Sequence, residues 1–155
     1  MSIEDKLKEL GIELQTPPSP VANYIPVQQT GNLIYLSGQG PRDEEGNFIT
    51  GKVGADISAE QAYDLSRNTA INLISAMKSY LGSLERVVKI VKVFGMVNAT
   101  SDFTDHPKVI NGCSDLLVEY LGKEKGVHAR SALGVYVLPN NIPVEIEAIV
   151  ELIKE

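Results

Sequence analysis

The sequence contains few of the residues on which several common classes of protein depend. Its 155 residues include one cysteine, two histidines and no tryptophan. The single Cys113 cannot form a disulfide within the chain, which fits a reducing compartment, and we therefore expect a cytoplasmic protein. The histidines and the cysteine are not spaced like metal ligands, and no glycine-rich phosphate-binding motif is present. The sequence accordingly predicts no metal site.

Long apolar runs and basic clusters are also missing. No stretch of about 18 apolar residues occurs, so no membrane span is expected, and the N-terminus lacks the basic and apolar regions of a signal peptide. The formal net charge is −6, with 14 Lys and Arg against 20 Asp and Glu. Because nucleic-acid binding depends largely on neutralising phosphates, we expect neither a nucleic acid nor a membrane as partner.

The length and composition are those of one globular domain with one core. Hydrophobic residues make up 43% of the chain and charged residues 22%, which is ordinary for such a domain. No linker, repeat or low-complexity tract interrupts the sequence. We therefore predict a single domain over residues 1–155, in which residues 1–16 form a helical N-terminal extension.

Local signals predict an α/β (α+β) chain in which strands and helices alternate. Ser58 and Gln61 match a capping box, and an apolar stripe with helical spacing follows as far as Gly82. The other expected elements are a hairpin over residues 24–37, a strand over 86–98, a helix over 105–122 and strands over 129–137 and 144–152. This order predicts a mixed sheet with two main helices on one face. Because residues 86–98 are apolar on both faces, we expect another subunit to cover the second face.

The last two strands are predicted to form a hairpin. Matching their apolar faces places Arg130 on the same face as Glu145 and Glu147. The small residues Ala132 and Gly134 on that face leave room for a ligand or for another subunit. A turn centred on residues 140–141 separates Arg130 from Glu145 by roughly 20 Å within one subunit. If the two residues share a site, it therefore lies between subunits.

Several segments resemble the RidA/YjgF family. The segment from His128 to Ser131, the Leu138-Pro139 pair and residues 144–149 are similar to the C-terminal signature of that family. Upstream, Tyr24, the segment Ser37-Gly38-Gln39 and Asn111 occupy matching positions. The resemblance covers roughly residues 20–152. It implies a chorismate-mutase-like fold, a homotrimer with three clefts between subunits, and cofactor-independent hydrolysis of reactive enamines and imines to 2-keto acids and ammonia.

The resemblance also implies the site residues. Arg130 binds the carboxylate of a small metabolite, for which a planar guanidinium is well shaped, and Glu145 assists the attacking water. The residues implied to line the cleft are Tyr24, Ser37, Gly38, Asn111 and Ala132. A purely structural ion pair at a subunit interface remains an alternative for Arg130, and an interface salt bridge or a solvated strand face remains one for Glu145.

Three positions depart from the family pattern. His128 stands where proline is frequent, Ala132 where cysteine is frequent, and Gly134 where a more polar residue is frequent. We expect His128 to be a half-exposed residue at a strand end rather than a catalytic group. These departures keep a second hypothesis open, namely a non-catalytic trimer that binds small carboxylates. A ribonuclease is the hypothesis that the charge and the residue types favour least.

Overall fold

The computed structural model describes residues 1–155, which form four helices and one five-stranded sheet. The helices are α1 (Ile3–Glu9), α2 (Ala59–Leu81), α3 (His106–Leu121) and the short α4 (Lys123–Gly126). The strands are β1 (Val27–Thr30), β2 (Leu33–Gln39), β3 (Val87–Asn98), β4 (Ala129–Val135) and β5 (Val144–Leu152). Two 3-10 turns, Leu84–Arg86 and Pro139–Asn141, precede β3 and β5.

The two long helices begin and end where the sequence signals predict. The Ser58 hydroxyl accepts a hydrogen bond from the Gln61 backbone, and the Gln61 side chain accepts one from the Ser58 backbone, so the capping box of α2 is confirmed. Gly82 follows α2 and Gly122 follows α3, with φ angles of +76° and +82° that side chains other than glycine rarely adopt. The expected N-terminal helix is also present as α1, and Ser2 caps it.

The predicted terminal hairpin is wrong. The order of strands in the sheet is β1-β2-β5-β3-β4, so β3 lies between β4 and β5. Helix α3 connects β3 to β4, which run parallel, whereas β5 runs antiparallel to both β2 and β3. Asn98 at the end of β3 directs the returning chain, because its side-chain amide donates hydrogen bonds to Asn141 Oδ1 at 2.9 Å and to the Ile142 carbonyl at 3.1 Å. These contacts direct the chain across the end of β3, so that β5 lies between β3 and β2.

Helices α2 and α3 pack on one face of the sheet and on each other. Their contact is close at Gly112, where a Cβ would collide with the carbonyl oxygen of Tyr63. Cys113 is fully buried beside it, as a core residue. Burial raises the pKa of the Cys113 thiol to about 12, so this thiol remains protonated and inert.

No helix covers the opposite face of the sheet. Tyr35 is 44% exposed and Leu133 is 38% exposed there. One chain therefore leaves this apolar sheet surface open, and the second subunit that we expect over residues 86–98 stays a prediction. None of the helices combines the length and the apolar character that crossing a bilayer requires.

Candidate functional site

Arg130 lies on β4 and points toward α3. Its Nη1 donates two hydrogen bonds, one to Asn111 Oδ1 at 2.8 Å and one to Ser114 Oγ at 3.1 Å. The chain offers no partner to Nε or Nη2, and neither atom is sealed from solvent. No carboxylate forms an ion pair with Arg130, because the six ion pairs of the chain involve other residues. The guanidinium therefore keeps one edge free for an external anion.

His128 extends this set of contacts behind Ser114. Its Nε2 is 2.9 Å from Ser114 Oγ, and its Nδ1 is 2.6 Å from the Gly126 carbonyl oxygen. Burial lowers the pKa of His128; the bond to Gly126 raises it, and the charge of Arg130 lowers it further. His128 is thus a half-buried, hydrogen-bonded residue. We call Arg130, Asn111, Ser114 and His128 the arginine cluster.

Glu145, on β5, belongs to a second group of residues. Its carboxylate lies against the backbone of Gly38, since a Cβ on Gly38 would come within 2.9 Å of Glu145 Cδ. Burial raises the pKa of Glu145, and the charge of Glu147 raises it further. Glu147 itself makes no ion pair within the chain.

Ser37 joins the Gly38 region to the segment beside Tyr24. Ser37 is adjacent to Gly38 on β2, and its hydroxyl donates a hydrogen bond to the Ile25 carbonyl at 2.7 Å. This bond ties β2 to the segment that follows Tyr24, whose side chain is 54% exposed. We call Glu145, Gly38 and Ser37 the glutamate cluster, with Tyr24 at its margin.

The two clusters lie on opposite faces of the sheet, which contradicts the predicted common face for Arg130 and Glu145. Arg130 is level with Val93 on β3, whose side chain is fully buried under the helices. Glu145 is level with Met96, three residues further along β3 and on the other face. The clusters are therefore about 10 Å apart along the strands and about 10 Å across two strands. The two clusters therefore do not meet within one protomer. We predicted such a separation from a hairpin, which is absent; the separation arises instead from the opposite faces and the intervening strand.

The small residues of β4 were predicted to leave room for a ligand or for another subunit, but the structure gives a different reason for their size. Ala132 shares the helix-facing side with Arg130 and packs against the core. A Cβ at Gly134 would collide with the ring of His106, and one at Gly95 on β3 would lie 2.6 Å from Ile110. These small side chains allow α3 to approach the sheet closely. They do not by themselves provide room for a ligand.

The sequence interpretation missed Ser114 and, with it, the contact between Ser114 and His128. Ser114 follows Asn111 by three residues on α3, so both side chains lie on one helix face. That spacing was the available signal, but only the parallel placement of β4 brings Arg130 to this face. No three His, Cys, Asp or Glu side chains come close enough together to hold a metal ion.

Comparison with known proteins gives a consistent family. A family model described as "YjgF/chorismate mutase-like, putative endoribonuclease" matches residues 4–152. Protein TCP17 of Trypanosoma cruzi is 38% identical over 94% of this chain and 91% of its own length. A 2-iminobutanoate/2-iminopropanoate deaminase of Dermatophagoides farinae is 31% identical over 88% and 93%. The crystal structure of Atu1372, a protein of unknown function from Agrobacterium tumefaciens, superposes with a TM-score of 0.89 at 39% identity, covering 97% of this chain and 92% of that one.

Proposed function

The chain belongs to the RidA/YjgF family, and from this premise we propose that it hydrolyses 2-imino acids to 2-keto acids and ammonia. The observation that carries the proposal is the free Nε–Nη2 edge of Arg130, which has no carboxylate partner within the chain. That edge matches the carboxylate of a 2-imino acid in a bidentate pair. The relative from Dermatophagoides farinae, named for deamination of two such acids, supports the same substrate class.

In the proposed reaction, Arg130 binds the substrate carboxylate and Glu145 handles the protons. A water oxygen bonds to the imine carbon while Glu145 accepts one proton from that water. The nitrogen takes up the electron pair of the carbon–nitrogen double bond and receives that proton back from Glu145, which gives an amino alcohol. Glu145 then moves the remaining hydroxyl proton to the nitrogen, so the carbon–nitrogen bond breaks and ammonia leaves as the carbonyl forms. The raised pKa of Glu145 suits this role, because a carboxyl group that titrates closer to neutral pH can both accept and return a proton.

We place the reaction in a cleft between two copies of the chain, in a homotrimer. Arg130 and Glu145 cannot act on one small molecule within a protomer, since they lie on opposite faces of the sheet and two strands apart. The uncovered face of the sheet, which carries Tyr35 and Leu133, is the surface that we assign to the contact between subunits. In each cleft, one protomer contributes its arginine cluster and the next its glutamate cluster.

The test is hydrolysis of 2-iminobutanoate generated in situ by an amino-acid oxidase, followed as ammonia and 2-oxobutanoate above the uncatalysed rate. We expect Arg130→Ala to lower kcat/KM by about 100-fold, because a bidentate charged pair is lost. Arg130→Lys keeps the charge but not the fork, so it should recover only part of the activity. Arg67→Ala is the matched control, since Arg67 pairs with Glu119 on the surface.

Two outcomes would contradict the proposal. Equal activity in the wild type and in Arg130→Ala would remove Arg130 from the reaction. No acceleration by a folded wild type that nevertheless binds 2-oxobutanoate, measured by calorimetry, would replace the deaminase with a carboxylate-binding module.

A further inference from the structure

The hydrogen-bond chain behind Arg130 has a defined direction. The Gly126 carbonyl only accepts, so His128 Nδ1 carries the proton of that bond. Arg130 Nη1 only donates, so Ser114 Oγ accepts from it and directs its own hydroxyl hydrogen to His128 Nε2. The hydrogen-bond chain therefore runs from Arg130 through Ser114 and His128 to a backbone carbonyl. It is complete only when His128 is neutral with its proton on Nδ1.

This chain determines which part of the guanidinium stays free. Nη1 has two hydrogens, and Asn111 and Ser114 accept one each. The three remaining N–H groups belong to Nε and Nη2, which form one straight edge of the guanidinium. A freely rotating arginine offers several edges and loses that freedom when it binds, at a cost in affinity. An arginine whose Nη1 is already held avoids part of that cost.

We propose that Ser114 and His128 are positioning residues, which hold the Arg130 guanidinium so that its Nε–Nη2 edge receives the carboxylate of the ligand. The inference rests on the proposed function for the identity of that ligand, but the contacts themselves exist without it. Arg130 is the only charged group in contact with this pair, and no carboxylate forms an ion pair with His128. The pair thus acts on Arg130 through hydrogen bonds and leaves its charge unbalanced.

The first test uses the unliganded protein and needs no substrate. Nitrogen-15 NMR of the imidazole should show His128 protonated on Nδ1 and unprotonated on Nε2 at neutral pH. The Nη groups of Arg130 should give separate signals in the wild type. Their exchange should become faster in Ser114→Ala, because rotation about Nε–Cζ is then restrained by the bond to Asn111 alone. A proton on Nε2, or Arg130 signals that Ser114→Ala leaves unchanged, would overturn the proposal.

The second test is a double-mutant cycle on binding of 2-oxobutanoate, the product of the proposed reaction. Ser114→Ala and His128→Leu should each weaken binding about tenfold, since the first removes a bond to the charged Arg130 and the second removes the acceptor that orients the Ser114 hydroxyl. The double variant should bind 2-oxobutanoate no more weakly than either single variant, because each single substitution already interrupts the hydrogen-bond chain. If the two losses in affinity multiply in the double variant, the residues act independently, and the proposal that they position Arg130 together is refuted.

Controls separate positioning from folding and from the proposed chemistry. His128→Gln keeps an acceptor for the Ser114 hydroxyl and should recover most of the affinity, whereas Ser101→Ala, in an exposed loop, should behave like the wild type. In turnover of 2-iminobutanoate, Ser114→Ala should raise KM and change kcat little, because carboxylate binding is common to the ground and transition states. If the wild type binds 2-oxobutanoate but hydrolyses no imine, the proposed function fails. The double-mutant cycle still tests whether Ser114 and His128 position Arg130.

Discussion

The separation of Arg130 and Glu145 within one protomer makes a complementation experiment decisive. Arg130→Ala destroys the arginine cluster and leaves the glutamate cluster intact, whereas Glu145→Gln does the reverse. Each variant alone should be nearly inactive in imine hydrolysis. If every cleft combines the two clusters of different protomers, an oligomer assembled from both variants contains some clefts in which both residues are native. Activity should therefore return when the two inactive chains are combined.

The size of the recovery follows from the number of native residues in each cleft. In a ring of protomers assembled at random from equal amounts of both chains, half of the protomers that supply Arg130 have it intact. Independently, half of their neighbours supply an intact Glu145. About one quarter of the clefts are then complete, so about one quarter of wild-type activity should return. A site within one protomer predicts no recovery, since neither chain carries both residues.

The assay is co-expression of the two variants in equal amounts and purification through one affinity tag that both chains carry, so that assemblies of every composition are recovered. The 2-iminobutanoate assay follows. A second mixture, of the wild type with the Arg130→Ala/Glu145→Gln double variant, provides the control. Clefts shared between protomers predict about one quarter of the activity in this mixture as well, whereas clefts within one protomer predict about one half. No recovery in the first mixture together with one half in the second would refute the shared cleft.

The sequence was sufficient for the helices, for most strand positions and for the family. The capping box at Ser58 and the glycines that end α2 and α3 act locally, so their effect does not depend on the rest of the fold. The match of Arg130 and its neighbours to the family is likewise a property of a short segment. These features are readable from one sequence because the interactions that produce them are close in the chain.

The order of the strands could not be read in the same way. The alternating pattern of β5 requires one buried face but does not specify which strands lie beside it. Contacts that are distant in sequence decide this, chiefly those of Asn98 with the connection before β5. The assumed hairpin also aligned Arg130 with the wrong face, because parallel pairing places it level with Val93. His128 is half-buried directly before β4, as predicted, but its contact with Ser114 on α3 could not be read from the assumed hairpin.

Three further predictions concern single substitutions. Gly112→Ala should reduce the free energy of unfolding by about 2 kcal/mol in urea denaturation, because the new methyl group meets the Tyr63 backbone; Glu119→Ala, on the surface, should cost under about 1 kcal/mol, and equal losses would refute the close helix contact. Gly38→Ala should lower kcat for imine hydrolysis with little change in stability, because the methyl group displaces the flexible Glu145 carboxylate rather than backbone; unchanged kcat would contradict the placement of that carboxylate. Glu145→Gln should make the protein more stable than the wild type at neutral pH. Burial holds the folded-state pKa of Glu145 above its ordinary value of 4.5, so the stability that its neutral form contributes is present below that value and is lost as the pH rises through the raised pKa. Glutamine stays neutral throughout, and the gain in urea stability should therefore be absent in acid and grow toward pH 7; a gain of the same size at every pH would show that charge burial is not its cause.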